Sequence, residues 1–510
     1  ATAEGTKKLI SFNPASGATF TEDFRAATEG EVEAAIAAAR RAFEEYKLKT
    51  PNDRAKFLRS IAKEIEALGD EMVQRASAET ALPEARIKGE RGRTCNQLRS
   101  FADIIEEGSW INARIDTAIP DRAPVPKPDL RKMEVPMGPV AVFGASNFPL
   151  AYSTAGGDTA SALASGCPVI VKGHEAHLGT NDLVTQAVLK AAKETGMPDG
   201  VFSMVNGGID VGQQLAKNES IKAIGFTGSL GGGRALFDTA SQRKTPIPVY
   251  AEMGSTNPVV FFPEKLKIAT EDLAKKLASS VTLGVGQFCT SPGLLIGLAS
   301  AELTAFSAIL EKELSEASAG TMLNEGIGES YLKSVSKVIT NEDVETLAQA
   351  NVAGKPGCAT VQEEEFIKNP TLHHEVFGPF TIVIACADRD QLLEVIQSLE
   401  GQLTGSFMAT EKDIDEFPEV IEALKERVGR IICNGVPTGV EVCPAMHHGG
   451  PYPASTSGKY TSVGRDAILR FTRSVAFQSW PDKLLPAELQ DANPKQIWRL
   501  VNSDWTQTSV

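Results

Sequence analysis

The run Gly286-Gln287-Phe288-Cys289-Thr290 places a cysteine in a small, glycine-bearing turn, and a carboxylate precedes it in Ala251-Glu252-Met253-Gly254. A thiol with a base implies covalent chemistry on a carbonyl. A thiolate adds to an aldehyde carbon, the hemithioacetal surrenders hydride to a nicotinamide, and a carboxylate activates water to hydrolyse the remaining thioester. Each residue alone has a plainer reading, Cys289 as a small buried hydrophobe and Glu252 as a surface acid. The chemical reading gains weight because other parts of the same reaction recur along the chain.

Asn147, in Gly144-Ala145-Ser146-Asn147-Phe148-Pro149, follows the end of an apolar run, and its amide could donate to a developing oxyanion together with the Cys289 N–H. Phe226-Thr227-Gly228-Ser229-Leu230-Gly231-Gly232-Gly233-Arg234 reads as a strand-to-helix turn whose bare amides face a pyrophosphate, although the G-x-G-x-x-G spacing is absent. Lys172-Gly173-His174-Glu175 lies just past another strand, where Lys172 and Glu175 could reach a ribose. Metal chemistry is not expected. His174-Glu175-Ala176-His177 is one residue short of H-E-x-x-H, His373-His374 and His447-His448 are adjacent pairs, and all six histidines are read as non-ligands.

These residues need rigid elements to hold them. A chain of 510 residues, 42% hydrophobic and 23% charged, is too long for one core, so two or three domains are expected. A formal charge of −14 disfavours nucleic acid and anionic membrane as partners and favours a small molecule. There is no apolar run of spanning length and no signal core at the start, and the seven cysteines are scattered without a C-x-x-C pair. A cytoplasmic location with reduced thiols is expected. Thr28-Glu29-Gly30-Glu31 is a capping box for an amphipathic helix through Val32, Ile36, Ala39 and Phe43. From Pro139 to Thr239 short buried strands (Val140-Phe143, Val169-Val171, Val201-Val205, Ile221-Phe226) alternate with helical stretches, which predicts a parallel doubly wound sheet. A second alternating block runs from Val259 to about Cys433. Prolines at 124, 126, 128, 136 and 139 exclude a central strand from the segment 122–139, leaving a linker or an edge hairpin. The last thirty residues read as an extended tail that docks on something.

Taken together, these segments resemble the aldehyde dehydrogenase superfamily over nearly the whole chain. Asn147-Phe148-Pro149 is similar to the W-N-F-P segment, Lys172 to Glu175 to K-P-x-E, and Phe226 to Gly233 to F-T-G-S-x-x-x-G. Glu252-Met253-Gly254 is similar to E-L-G, and Gly286 to Cys289 to the nucleophile motif. Glu375-Val376-Phe377-Gly378-Pro379 is similar to E-x-F-G-P. The resemblance implies an α/β fold of two doubly wound, Rossmann-like parallel-sheet domains with a small oligomerisation arm. It implies Cys289 as nucleophile, Glu252 as general base and Asn147 in the oxyanion hole. For the cofactor it implies Lys172, Glu175, Gly228, Ser229, Gly233, Glu375 and Phe377 as contacts. The expected division is a cofactor-binding domain at 1–121 and 140–252, rejoined by 446–480, a catalytic domain at 253–445, and oligomerisation segments at 122–139 and 481–510 of a homodimer or homotetramer.

Departures point to a branch. Gly173 replaces the usual proline, Leu294 replaces a frequent arginine, and Pro437-Thr438-Gly439-Val440-Glu441-Val442 with Met446-His447-His448-Gly449-Gly450-Pro451-Tyr452-Pro453 resembles bacterial α-ketoglutarate semialdehyde dehydrogenases and an NADP-dependent fatty aldehyde dehydrogenase. The expected reaction is oxidation of an aldehyde to the free acid, with α-ketoglutarate semialdehyde as first substrate and a medium or long aliphatic aldehyde as runner-up. A CoA-acylating enzyme and a catalytically silent homologue rank lower. In this branch His448 could assist the thiol or simply pack against Tyr452. NAD is expected over NADP, because the Glu175 carboxylate suits two ribose hydroxyls and repels a 2′-phosphate.

Overall fold

A computed structural model describes residues 4–510. The first long helix, Glu29–Tyr46, opens on the reciprocal cap foreseen at Thr28, whose hydroxyl accepts from the Glu31 amide at 3.2 Å while the Glu31 carboxylate accepts from the Thr28 amide at 2.8 Å. Its buried stripe runs Val32, Ile36, Ala39, Ala42 and Tyr46, so Phe43 lies beside the stripe and is half-buried. Thr50 and Asp53 repeat the device at Pro51–Ala67, which packs on Glu84–Glu107.

The first sheet has five parallel strands in the spatial order Phe202–Val205, Val169–Lys172, Val140–Phe143, Ala223–Thr227, Val249–Glu252. Helices Gly157–Ser165, Leu178–Glu194, Ile209–Lys217 and Leu230–Ser241 make the crossovers. The chain winds outward in one direction, then returns to the other side of the 140–143 strand. The crevice beyond the carboxyl ends of the 140–143 and 223–227 strands is therefore the switch point where such sheets bind ligands.

The second sheet orders seven strands as Glu345–Ala348, Gly357–Gln362, Phe380–Cys386, Leu294–Leu298, Val259–Phe261, Gln402–Met408 and Val428–Cys433. All pair in parallel except the 345–348 edge. Its two faces separate by the alternation of strand side chains. Val259 and Phe261 pack with Leu273, Leu277, Phe306 and Leu310 on one side, while Val260 packs with Tyr331, Val335, Leu392 and Val395 on the other. The two doubly wound parallel sheets expected from the alternation are both present.

The third sheet corrects one expectation. Leu130–Pro136 is a strand with neighbours on both sides, antiparallel to Thr472–Gln478 and to Arg114–Asp116. The prolines exclude less than their number implies: Pro124, Pro126 and Pro128 precede the strand and Pro136 is its last residue, so 130–135 keeps every N–H. The tail completes this sheet with Arg499–Val501 and Asp504–Thr506. Its anchor is Arg499, fully buried, which donates to the carbonyls of Gln490, Asp491 and Thr508. Among the described residues no helix is long and apolar enough to cross a membrane.

Candidate active site

Helix Pro263–Thr282 ends in the tight turn Leu283–Gly286, which delivers the cysteine. Gly284, Val285 and Gly286 all have left-handed backbone, with φ of 56°, 60° and 64°. A β-branched residue there is strained by about 1–3 kcal/mol, held only because its surroundings fix it. Gly286 cannot carry a side chain: a Cβ would lie 2.3 Å from the Gly378 carbonyl carbon. Buried Asn257 clamps the following residues, its amide donating to the carbonyls of Cys289 and Ser291 at 2.9 Å each. Gln287 accepts from the Leu323 amide at 3.0 Å.

Around the thiol the sequence separations are long and the distances short. His448 Nε2 stands 3.6 Å from Cys289 Sγ and 3.0 Å from Glu252 Oε1. The other Glu252 oxygen accepts from the Ser462 hydroxyl at 2.5 Å, and His448 is fixed by its amide on Thr461 Oγ1 at 2.9 Å. Glu252 ends the last strand of the first sheet and Cys289 belongs to the second block, so the pair spans the seam between them. The segment after residue 446 straps that seam: the Met253 amide donates to Ala454 O at 2.8 Å and the Thr456 amide to Ala251 O. Burial and the neighbouring Glu252 push the Cys289 thiol well above its ordinary range. Burial also pushes Glu252 up, but His448 and Ser462 more than offset it and hold the carboxyl below its usual value. The resting pair is a thiol beside a carboxylate, with an imidazole touching both.

Asn147, nearly buried, follows the 140–143 strand as expected; its amide donates to Gln287 O at 3.1 Å, beside the thiol, and its own carbonyl accepts from Arg86 at 2.8 Å. A cavity of about 800 Å³ opens from Cys289 and Glu252 to the switch point, lined there by Lys172, His174, Gly228 and Ser229, and nearer the thiol by Glu375 and Phe377. Ser229 caps helix 230–241 by accepting the Gly232 amide, leaving the helix N-terminus facing the cavity. A Cβ on Gly228 would lie 2.7 Å from the Phe226 ring, so the backbone lies bare at the turn.

Two expected contacts do not line this cavity. Gly233 is buried, where a Cβ would lie 2.6 Å from Met253 Sδ, and it lets the helix sit close on the sheet. Glu175 is exposed at the rim, beyond half-buried Lys172, whose pKa burial lowers against the opposing pull of Glu175 and Asp210. Burial pushes Glu375 up to about 8. Of the other histidines, His174 and His177 stack at 5.5 Å, and His373 stacks on Phe366. Glu252, Cys289 and His448, which the sequence placed at one site, bring three ligand-type atoms within 4.8 Å of one another, although the histidines were read there as non-ligands.

The profile of the aldehyde dehydrogenase family matches residues 1–476. The chain belongs to this family. It is an oxidoreductase that acts on an aldehyde. It is 47% identical over 500 residues to alpha-ketoglutaric semialdehyde dehydrogenase 2 of Azospirillum brasilense, covering 96% of this chain and 95% of that one. It is 45% identical over 490 residues to the alpha-ketoglutaric semialdehyde dehydrogenase of Acinetobacter baylyi, covering 95% and 93%. These relatives occupy the branch expected from the segments at 437–442 and 446–453. The fold matches that of aldehyde dehydrogenase C of Pseudomonas syringae, solved with NAD+ and octanal, at a TM-score of 0.78 and 19% identity over 94% of this chain and 95% of that one. It also matches a glyceraldehyde-3-phosphate dehydrogenase of Methanocaldococcus jannaschii, solved with NADP, at 0.76 and 20% identity over 92% and 99%. In this aldehyde dehydrogenase, sequence reasoning passed over Ser462, Asn257, Tyr152, Arg86 and Arg93, which lie in no short motif and meet the site only through tertiary packing.

Proposed function

We propose that this aldehyde dehydrogenase converts α-ketoglutarate semialdehyde to α-ketoglutarate, with Cys289 as nucleophile. The observation that carries the substrate is the near-full-length identity of 47% and 45% to two enzymes of that name. The contact of Cys289, His448 and Glu252 supports the mechanism. The thiol's raised pKa requires a base at the moment of attack: His448 takes the proton on Nε2, 3.6 Å from the thiol, and the imidazolium so formed then donates it in a hydrogen bond to Glu252 Oε1, 3.0 Å away. The thiolate adds to the aldehyde carbon, and the Asn147 amide with the Cys289 N–H receives the developing oxyanion. When bound, NAD or NADP supplies the two-electron oxidant. Glu252, held as a carboxylate by His448 and Ser462, then takes a proton from water, which attacks the thioester on Cys289 and releases the acid.

The cavity fits a dinucleotide: its volume of about 800 Å³ is of ligand size, a capped helix N-terminus and bare glycine backbone suit a pyrophosphate, and Glu375 and Phe377 flank the thiol end. Lys172 and Glu175 would hold the far ribose, and Gly233 serves by seating the phosphate-binding helix. NAD is preferred, since Glu175 and Asp210 place carboxylates around Lys172. Residues 1–121, 140–252 and 446–480 form the cofactor unit and 253–445 the catalytic unit, in keeping with the two parallel sheets. The arm at 122–139 and 481–510 joins subunits of a homo-oligomer, and the seven unpaired cysteines accord with a cytoplasmic setting. Steady-state kcat/KM for α-ketoglutarate semialdehyde against aliphatic aldehydes, with acid and reduced dinucleotide formed one to one, tests the reading. Preference for long aliphatic aldehydes, or dependence on CoA, would reject it.

A further inference from the structure

Around the apolar cluster that borders the thiol end of the cavity stand two arginines with no carboxylate counterion among the described residues. Arg93, on helix 84–107, donates one Nη2 bond to the Tyr152 hydroxyl at 3.1 Å and lies 5.4 Å from the Tyr152 ring centre and 5.8 Å from that of Phe148. Its Nε is buried without a partner. Arg430, on the 428–433 strand, is steered by the carbonyls of Gly439 and Pro437 at 3.0 and 2.8 Å, and its Nε is likewise buried and unpartnered. Orphaned Nε atoms occur elsewhere in the protein. At these two residues geometry adds a second observation: Arg93 lies against Tyr152 and Phe148, which line the cavity at Cys289, and Arg430 is held by the loop that leads into Val440 and Val442 of the same apolar cluster.

Neither arginine has a carboxylate within salt-bridge distance among the described residues. Glu90, one turn earlier on the same helix as Arg93, accepts with one oxygen from the amides of Leu150 and Ala151, and burial raises its pKa. The walls toward the thiol are apolar, with Phe148, Tyr152 and Val463 in one cluster beside Val442 and Met446. A short hydrocarbon chain would lie along such walls. A guanidinium that has only neutral partners and no counterion gains a charge-assisted contact from an anion that reaches it.

We propose that Arg93 and Arg430 bind the distal carboxylate of the substrate, making the site selective for short aldehydes that end in a carboxylate. This rests on the reading that the substrate is a semialdehyde acid, and it assigns the residues that recognise it. It also gives the loop 437–439 a task, since its carbonyls aim Arg430.

The test compares kcat/KM for α-ketoglutarate semialdehyde, glutarate semialdehyde and pentanal in the unsubstituted protein and in Arg93→Met, Arg430→Met and Arg93→Lys. Glutarate semialdehyde lacks only the keto oxygen, and pentanal lacks the acid. The expected result is that each Met variant lowers the ratio of glutarate semialdehyde to pentanal by about 100-fold, carried mainly by KM, with part of it restored in Arg93→Lys. If the unsubstituted enzyme does not prefer the acid-bearing aldehydes, the substrate reading fails and this inference with it. If it prefers them and the Met variants keep the preference, or lose all three substrates in parallel, only the arginine assignment is overturned.

Discussion

Cys289→Ala removes the thiol that stands 3.6 Å from His448 and should abolish aldehyde oxidation while dinucleotide binding, followed by fluorescence quenching, stays within a few-fold. Appreciable turnover by that variant would displace Cys289 from its role. Glu252→Gln keeps the shape but not the base, so release of the acid should slow by about 10²–10⁴-fold while the first burst of reduced dinucleotide survives in stopped flow. A burst lost in proportion would mean that Glu252 serves the thiol more than the water. Glu375 offers a pH handle. Its carboxyl, raised from 4.5 to about 8, is largely protonated at neutral pH, and the ionised form is the better acceptor for ribose hydroxyls. Dinucleotide affinity should therefore tighten as pH rises through about 8 and flatten in Glu375→Gln. Stability runs the other way: a folded-state value above the unfolded one contributes fully below pH 4.5, and the contribution is lost as pH rises through about 8.

The turn before Cys289 and its clamp set the precision of the site. Gly286→Ala would drive a Cβ into the Gly378 backbone from a left-handed φ, so kcat should collapse and the melting temperature fall. Asn257→Ala leaves two part-buried carbonyls without their donor, a loss of about 1 kcal/mol in stability by chemical denaturation. Elements of this kind divide what the sequence shows from what it hides. The strands at 140–143 and 169–172 were legible because buried parallel strands read as unbroken apolar runs. The loops at Gly228 and Cys289 were legible because bare backbone forces glycine into a short window. Ser462 reaches Glu252 across 210 residues and Asn257 reaches Cys289 across 32, so neither leaves a local trace. The 130–136 strand was misread because prolines were counted over a segment rather than placed in a register.

At the scale of the whole molecule, the arm sheet carries a conspicuous exposed apolar surface. Trp480, Trp498, Trp505 and Leu484 are about half exposed, at 50, 45, 57 and 59%. Such a surface is out of place on a solitary chain. Light scattering at working concentration should show a dimer or a tetramer, and a strictly monomeric species would refute the role given to residues 122–139 and 481–510. The seam between the two large sheets has a different consequence. Because Glu252 ends a strand of one sheet and Cys289 sits in the loop leading into the other, the roles proposed for them make turnover a gauge of their alignment. A slip too small to register in a melting curve would still separate proton acceptor from thiol, so substitutions along the strap after residue 446 should surface first as lost rate in a protein that remains fully folded.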